Sequence, residues 1–164
     1  DIVPEARLRI IAVIARAAGP LGMVGGQYLD VVNEGREIAY DLLRTIHRSK
    51  TGALITASVL AGGIAAGASA EQQRLLTDYG NAVGLAFQIV DDILNVEATP
   101  EQLGKAVGSD AARGKATYPA LFGLAKSKTM AADAVAAATV ALDGFGDDAE
   151  PLRALARYII HRTT

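Results

Sequence analysis

The sequence of 164 residues predicts an all-α protein, and three observations support this fold class. No stretch alternates apolar and polar residues with the period of two that is typical of a half-buried strand. Several segments instead repeat apolar residues with helical spacing. Apolar residues make up 51% of the chain but aromatic residues only 5%, and Gly and Ala are abundant. Small side chains let helix axes approach closely, so we expect tightly packed helices.

Composition also limits the classes of function. The net charge is −2, so the chain lacks the basic surface that nucleic-acid binding requires. It contains no Cys, which excludes disulfides and thiolate metal sites. The first residues, Asp1 to Pro4, show neither the basic n-region nor the apolar h-region of a signal peptide, and no initiator Met. We therefore expect the chain to be the downstream part of something longer.

The first half of the chain predicts three helical segments. Residues 4–18 form an amphipathic helix, which Gly19-Pro20 ends. Residues 21–32 are a Gly-rich turn that continues into a short helix, and residues 33–37 are a polar loop. Residues 40–66 then predict one long helix.

The apolar stretch 51–70 raises the alternative of a membrane span. Thr56 and Ser58 interrupt it, and its glycines and alanines keep its hydrophobicity modest. We therefore favour a buried helix and expect no transmembrane segment.

The second half begins with a helix start at Ser69, a residue type that favours the N-cap and is followed by an acidic first turn. The predicted helix covers residues 71–96, and residues 99–115 are a Gly-rich loop. Thr117-Tyr118-Pro119 begins another helix, because Thr caps and Pro is tolerated in the first turn. Two further helices are predicted at 130–142 and 151–161, with Gly144 to Asp147 between them.

The most informative feature is a polar stripe on the apolar helix 71–96. The stripe begins at Gln88, and Asp91, Asp92 and Asn95 follow three, four and seven residues later, so that all four share one helix face. Two ionised carboxylates in a core repel each other and lose hydration unless something cationic compensates. A divalent ion with oxygen ligands, such as Mg²⁺, is the natural compensator. The alternative is a helix end that simply reaches solvent.

Lysines complement the acidic stripe. Lys50 lies beside Thr51 in an apolar helix, where an ammonium is costly unless it faces a cleft or extends to the surface. Lys105 and Lys115 each follow a glycine in or at the end of the loop after the stripe. Acidic ligands, separated lysines and a Gly-rich loop together predict a site for a polyanion carried on divalent metal. Diphosphate fits this site, because metal bridges the carboxylates and the phosphate oxygens.

Six sequence motifs follow one another along the chain. They are Gly26-Gln27, His47-Arg48-Ser49-Lys50-Thr51, Gly84-Leu85-Ala86-Phe87-Gln88-Ile89-Val90-Asp91-Asp92-Ile93-Leu94, Leu103-Gly104-Lys105, Gly108-Ser109-Asp110 and Gly114-Lys115-Ala116-Thr117-Tyr118-Pro119-Ala120. Their order and spacing resemble the trans-isoprenyl diphosphate synthases, and most closely the bacterial farnesyl and geranylgeranyl diphosphate synthases. The resemblance covers nearly the whole chain, down to residues 154–162.

The resemblance implies an isoprenoid-synthase helical bundle around a deep central cavity. It implies a prenyltransferase that joins an allylic diphosphate to isopentenyl diphosphate, head to tail, with Mg²⁺ as cofactor. It also implies a cytoplasmic homodimer, for which helices such as 51–66 could supply an interface. Two alternatives stay open: a non-catalytic regulatory partner of a complete synthase, and a terpene cyclase of the same fold.

The resemblance also implies roles for the polar residues. Asp91 would be the direct Mg²⁺ ligand, and Asp92 would support that metal through water or hydrogen bonds. Lys50 and Lys105 would bind the leaving diphosphate, and Lys115 would lie close to it.

The remaining roles concern the developing carbocation and the pocket. Thr51 and Gln88 would stabilise the cation with their oxygens. Phe87 would line the pocket, and His47 is a weaker candidate for the substrate site. Gln27 and Asp30 belong to the family pattern, but we expect a structural or distant role for them.

Two departures from the family pattern matter. Asn95 stands where the second acidic motif usually ends in a third Asp, which keeps a carbonyl ligand but removes a charge. The first Asp-rich motif, which holds the other two Mg²⁺ ions, does not occur in the sequence. We therefore expect residues 1–164 to be the C-terminal half of a single all-helical prenyltransferase domain, inactive alone. Product length depends on the upstream region.

Overall fold

The computed structural model describes residues 2–97 and 115–162, which form helices and contain no strand. The all-α prediction is therefore confirmed. The α-helices are α1 (Pro4–Ala18), α2 (Met23–Val32), α3 (Tyr40–His47), α4 (Ala53–Ala65), α5 (Ala70–Glu97), α6 (Tyr118–Phe122), α7 (Leu124–Val140) and α8 (Glu150–Ile159). A π-helical turn joins α3 to α4, and two 3₁₀ turns precede α8; they are Arg48–Gly52, Asp143–Phe145 and Asp147–Ala149.

Helix α5 is the centre of the fold. It packs most extensively against α4 and α7 and also contacts α6 and α8. Its Tyr79, Ala86 and Ile89 have no exposed surface. The Tyr79 hydroxyl donates a 2.8 Å hydrogen bond to the carbonyl of Leu152 in α8, which satisfies a polar group inside the core. The acidic segment therefore lies at one end of the most buried helix.

The two helix starts predicted from capping residues, at Ser69 and Thr117, are confirmed by their hydrogen bonds. The Gln72 backbone N–H donates to Ser69 Oγ at 3.2 Å, and the Ser69 N–H donates back to Gln72 Oε1 at 2.8 Å. This reciprocal pair is a capping box that fixes the start of α5. At α6, the Ala120 N–H donates to Thr117 Oγ1 at 3.3 Å, with Pro119 in the first turn.

The long helix predicted at 40–66 is continuous, but it contains the π-helical turn Arg48–Gly52, called the π turn below. A π turn closes hydrogen bonds over one more residue than an α-helix, and such turns occur often at functional sites. This one contains Lys50 and Thr51. Beyond it, α4 packs between α1 and α5. Its Ala57 and Ile64 are buried, but its other residues are partly buried or exposed, so the helix expected to be buried is only partly so.

The segmentation after residue 117 differs from the prediction. Helix α6 ends at Gly123, which has a φ of +77°, and its N–H donates to the carbonyl of Pro119. The backbone restarts at once as α7, so this helix begins at Leu124 rather than at residue 130. Residues 126–129 are polar and gave no apolar periodicity from which the start could be read.

Within the part of the chain that the structure describes, helices α1 and α2 carry many of the exposed apolar side chains. Residues 4–32 are long and apolar enough to cross a membrane by length and composition alone, although the chain breaks between the two helices at residues 19–22. A helix that another part of a protein covers passes the same test. The apolar side chains at least 45% exposed in this region are Val3, Leu8, Ile11, Ile14, Leu21, Val24, Tyr28 and Val31.

Candidate active site

Helices α2 and α5 bind neighbouring side chains of the π turn. Lys50 Nζ donates a 2.7 Å hydrogen bond to Asp30 Oδ2 in α2. Thr51 Oγ1 donates to Gln88 Oε1 in α5 at 3.1 Å. The π turn therefore presents a cation towards one helix and a neutral hydroxyl towards the other.

A second lysine joins the first at Asp30. Lys115 Nζ lies 3.3 Å from Asp30 Oδ2, so both ammonium groups contact the same carboxylate oxygen. Partial burial by itself raises the pKa of Asp30, but the hydrogen bond from Lys50 and the charge of Lys115 outweigh it and hold this pKa below its ordinary value. The three side chains together keep a net positive charge, which suits an anionic ligand.

Asp91 is the acidic side chain of the pair that faces solvent. It lies three residues after Gln88 on α5, and its side chain is 45% exposed. Its Oδ1 lies 3.8 Å from Arg162 Nη2. An open carboxylate at the rim of a cationic site is a hard oxygen donor that a divalent ion can reach.

Asp92 and Asn95 point into the protein instead. Asp92 is 6% exposed and Asn95 3% exposed. Asp92 Oδ2 accepts a 2.9 Å hydrogen bond from the buried backbone N–H of Tyr118, at the start of α6. The predicted polar stripe thus divides, with Asp91 outside and Asp92 and Asn95 inside. Within residues 2–97 and 115–162, no three His, Asp or Glu side chains form a cluster that could hold a metal.

His47 packs within this buried region. Its ring stacks on Tyr118 with centroids 5.7 Å apart and planes at 20°, and its Nε2 lies 4.0 Å from Asp92 Oδ1. Burial, helped by the charges of Lys50 and Lys115 and opposed by that of Asp30, lowers the pKa of His47 to about 4. His47 is therefore neutral at neutral pH and supplies packing there rather than positive charge.

Phe87 contacts Arg162, which lies at the C-terminal end of the described residues. The Arg162 guanidinium lies 4.0 Å from the centre of the Phe87 ring, and its Nη2 donates to the Phe87 carbonyl at 3.2 Å. Burial lowers the pKa of Arg162, which the charge of Asp91 partly offsets. This contact anchors the end of the chain beside the acidic helix.

The structure brings most of the predicted residues together. Lys50 and Lys115 converge at Asp30, and Thr51 meets Gln88 one turn from Asp91. Lys105 lies outside the described residues.

The sequence analysis underrated two residues. Asp30 is at the centre of the lysine pair rather than in a distant role. Its position next to the Gly26-Gln27 motif was a usable signal. Arg162 lies at the end of the matching segment 154–162, but no motif there singled it out as a site residue.

Comparison with known proteins identifies the family of this chain. The profile of the Polyprenyl synthetase family matches residues 3–145. A farnesyl diphosphate synthase of Geobacillus stearothermophilus is 49% identical over 137 residues, which cover 84% of this chain and 46% of the relative. The chain belongs to the polyprenyl synthetase family. The resemblance inferred from the motifs is thereby confirmed.

Further relatives extend the agreement. A geranylgeranyl diphosphate synthase of Cyanophora paradoxa is 39% identical over 156 residues, covering 94% of this chain and 52% of the relative. The crystal structure of a Helicobacter pylori geranyltransferase complexed with magnesium and isoprenyl diphosphate matches with a TM-score of 0.80 at 27% identity, covering 98% of this chain and 52% of that one. The chain thus spans about half the length of the relatives it matches.

Proposed function

We propose that this chain is part of an enzyme that condenses an allylic diphosphate with isopentenyl diphosphate, head to tail. The product is a short-chain isoprenyl diphosphate such as farnesyl or geranylgeranyl diphosphate. One observation carries the proposal: neighbouring residues of the π turn belong to a pair of lysines that share one carboxylate, through Lys50, and to the neutral Thr51–Gln88 pair, through Thr51. The reaction needs this juxtaposition, because an anion leaves while a cation forms on the adjacent carbon. The farnesyl and geranylgeranyl diphosphate synthases among the relatives support the same reaction.

The lysines serve the leaving group. When the allylic C–O bond breaks, the electron pair stays with the diphosphate. Lys50 and Lys115 face one position, and in the absence of substrate Asp30 Oδ2 occupies it. The two ammonium groups are therefore already close together before a diphosphate binds to them. This lowers the free energy needed to reorganise the site in the transition state.

The neutral oxygens serve the carbocation. Gln88 Oε1 and the Thr51 hydroxyl oxygen carry partial negative charge without being strong nucleophiles. Water must be kept out, because it would quench the cation. The homoallylic double bond of isopentenyl diphosphate then attacks the cation, and loss of a proton completes the condensation.

Magnesium is the proposed cofactor, and the described residues fit it in part. Mg²⁺ is usually held by one or two carboxylates together with substrate phosphates and water. Asp91 supplies one such accessible carboxylate. When bound, Mg²⁺ neutralises negative charge on the diphosphate oxygens. For Asp92 and Asn95 we propose support of this helix end from inside, and for Lys105 a further contact with the diphosphate.

The proposal extends to the whole protein. Residues 1–164 form half of one helical domain, and the complete enzyme is a cytoplasmic homodimer. The exposed apolar side chains of α1 and α2 are the surface that a second subunit would cover. Helix α4 is less suited to this role, because it already packs between α1 and α5.

A binding experiment tests the site. Pyrophosphate binding to the complete protein is measured by isothermal titration calorimetry with Mg²⁺ present. Lys50→Ala removes a charge-assisted hydrogen bond of about 1.5–3 kcal/mol, so we expect binding about 10- to 100-fold weaker. Lys128→Ala is the matched control, because Lys128 is 53% exposed and pairs only with Glu97 among the described residues. Equal affinities for wild type and Lys50→Ala would refute the proposal. A terpene cyclase would bind pyrophosphate but would not consume isopentenyl diphosphate.

A further inference from the structure

We infer that Gly26 and Gly84 are positioning residues: they let α2 and α5 close on the π turn from two sides, so that the residue one turn further along each helix bonds a π-turn side chain. The inference rests on the proposed function for its catalytic consequence.

Gly26 brings α2 against the backbone of the π turn. A Cβ at position 26 would lie 2.3 Å from Lys50 N and 2.7 Å from Lys50 Cα. These are backbone atoms, so no side chain could turn away to make room. Asp30 lies four residues later, on the same face of α2. The close approach at Gly26 therefore carries Asp30 to within 2.7 Å of Lys50 Nζ.

Gly84 does the same for α5. A Cβ at position 84 would lie 2.9 Å from Gly52 Cα, the last residue of the π turn. Gln88 lies four residues later on the same face of α5 and accepts the hydrogen bond of Thr51. The same glycine-plus-four spacing thus occurs on both helices.

The two approaches are needed together. Consecutive residues of a helix point in different directions, and here Lys50 bonds a residue of α2 whereas Thr51 bonds a residue of α5. Each needs its own helix within hydrogen-bond range. A short α2 and a long α5 supply these partners, and a glycine at each contact removes the Cβ that would hold them away.

The expected effect follows from the distances. Carbon atoms reach their best van der Waals contact at about 3.5–4.0 Å. A methyl at position 84 would therefore push the backbones apart by roughly 0.5–1 Å. The Thr51–Gln88 bond of 3.1 Å would then exceed the range of a hydrogen bond. A misplacement of about 1 Å in an active site costs on the order of 100-fold in rate.

The experiment compares Gly84→Ala with Gly80→Ala in the complete enzyme. A Cβ at position 80 would lie 2.7 Å from Thr56 Cα, so the control disturbs the same pair of helices one turn further from the site. Gly62→Ala is the neutral control, because nothing lies within 4 Å of its added Cβ. We expect similar losses in unfolding midpoint for the variants at 80 and 84. We expect turnover to fall about 10- to 100-fold for Gly84→Ala but less than about threefold for Gly80→Ala.

A double-mutant cycle separates positioning from general packing. In the Gln88→Ala background the bond to Thr51 is already absent, so Gly84→Ala should lower turnover by less than about threefold more. Equal turnover losses for the variants at 80 and 84, or an undiminished loss in the Gln88→Ala background, would overturn the inference.

The Gly26 contact is tested without turnover. The carboxyl pKa of Asp30 is measured by NMR titration in wild type and in Gly26→Ala. We expect this pKa to rise towards its ordinary value in the variant, because Lys50 moves away, and to stay low in Gly62→Ala. An unchanged pKa of Asp30 in Gly26→Ala would overturn the inference. This test can be made even if Gly84→Ala does not fold. Absence of prenyltransferase turnover in wild type would instead refute the proposed function and leave this measurement valid.

Discussion

Replacing Asp91 or Asp92 by Ala should affect different properties of the protein, although the two carboxylates are adjacent in sequence. Asp92 is 6% exposed and accepts a 2.9 Å hydrogen bond from the backbone N–H of Tyr118. Asp91 has a 45% exposed side chain, and its Oδ1 lies 3.8 Å from Arg162 Nη2. Asp92→Ala should therefore lower stability, whereas Asp91→Ala should lower metal-dependent binding.

The magnitude follows from the Asp92 contact. A hydrogen bond to a charged group contributes about 1.5–3 kcal/mol, and its loss leaves the Tyr118 N–H buried without that acceptor. We expect Asp92→Ala to lower the free energy of unfolding by about 2–3 kcal/mol. Asp91→Ala should change it by less than about 0.5 kcal/mol, as is usual for exposed sites. Asp92→Asn keeps an oxygen acceptor, so its loss should be about half as large.

Urea denaturation and calorimetry together measure both effects. With a urea m-value of about 1–3 kcal/mol/M, the Asp92→Ala loss corresponds to a midpoint lower by about 1 M. Pyrophosphate titration with Mg²⁺ should show weakened binding for Asp91→Ala and near-normal binding for folded Asp92→Asn. A destabilised Asp91→Ala protein with a normal urea midpoint for Asp92→Ala would refute this division of roles.

Three further outcomes are expected. His47 is neutral in the folded state down to about pH 4, whereas an unfolded His binds a proton below its ordinary pKa of 6.5, so stability should fall by up to about 3 kcal/mol as the pH drops from 6.5 to 4; urea midpoints that fall equally for His47→Gln would contradict this. Ser69→Ala removes half of the capping box and should cost about 1 kcal/mol in the same unfolding assay, with no effect on pyrophosphate affinity. Because the lysines hold the pKa of Asp30 below its ordinary value, the stability advantage of wild type over Asp30→Asn should be complete at neutral pH, begin to shrink near pH 4 and be lost as the pH falls through the lowered pKa; an advantage that does not shrink as the pH is lowered would show that charge is not its source.

The sequence analysis succeeded where a local pattern decides the structure. The N-cap at Ser69 and the cap at Thr117 depend on residues within three positions, and both were found. The helical course of 71–96 depended only on local periodicity. These features need no knowledge of the rest of the fold.

It failed where distant segments meet. Asp30 and Lys50 are 20 residues apart and Lys115 is 85 residues from Asp30, and no local pattern shows that they share one carboxylate oxygen. The difference between the exposed Asp91 and the buried Asp92 depends on where α6 starts, because the Tyr118 N–H at that start donates a hydrogen bond to Asp92. The π turn differs from an α-helix by one residue in its hydrogen bonds, which periodicity does not resolve.

The most direct test is turnover of the complete protein with isopentenyl diphosphate, geranyl diphosphate and Mg²⁺, followed by analysis of the prenyl product. We expect the wild type to release a lengthened isoprenyl diphosphate and residues 1–164 alone to release none. Asp91→Ala should lower turnover on the order of 100-fold, because a bound metal stabilises the charge of the transition state by several kcal/mol. Asn95→Ala should lower turnover far less. Product formation unaffected by Asp91→Ala, or equal losses for the two variants, would contradict the assignment of Asp91 as the accessible ligand in this half of the site.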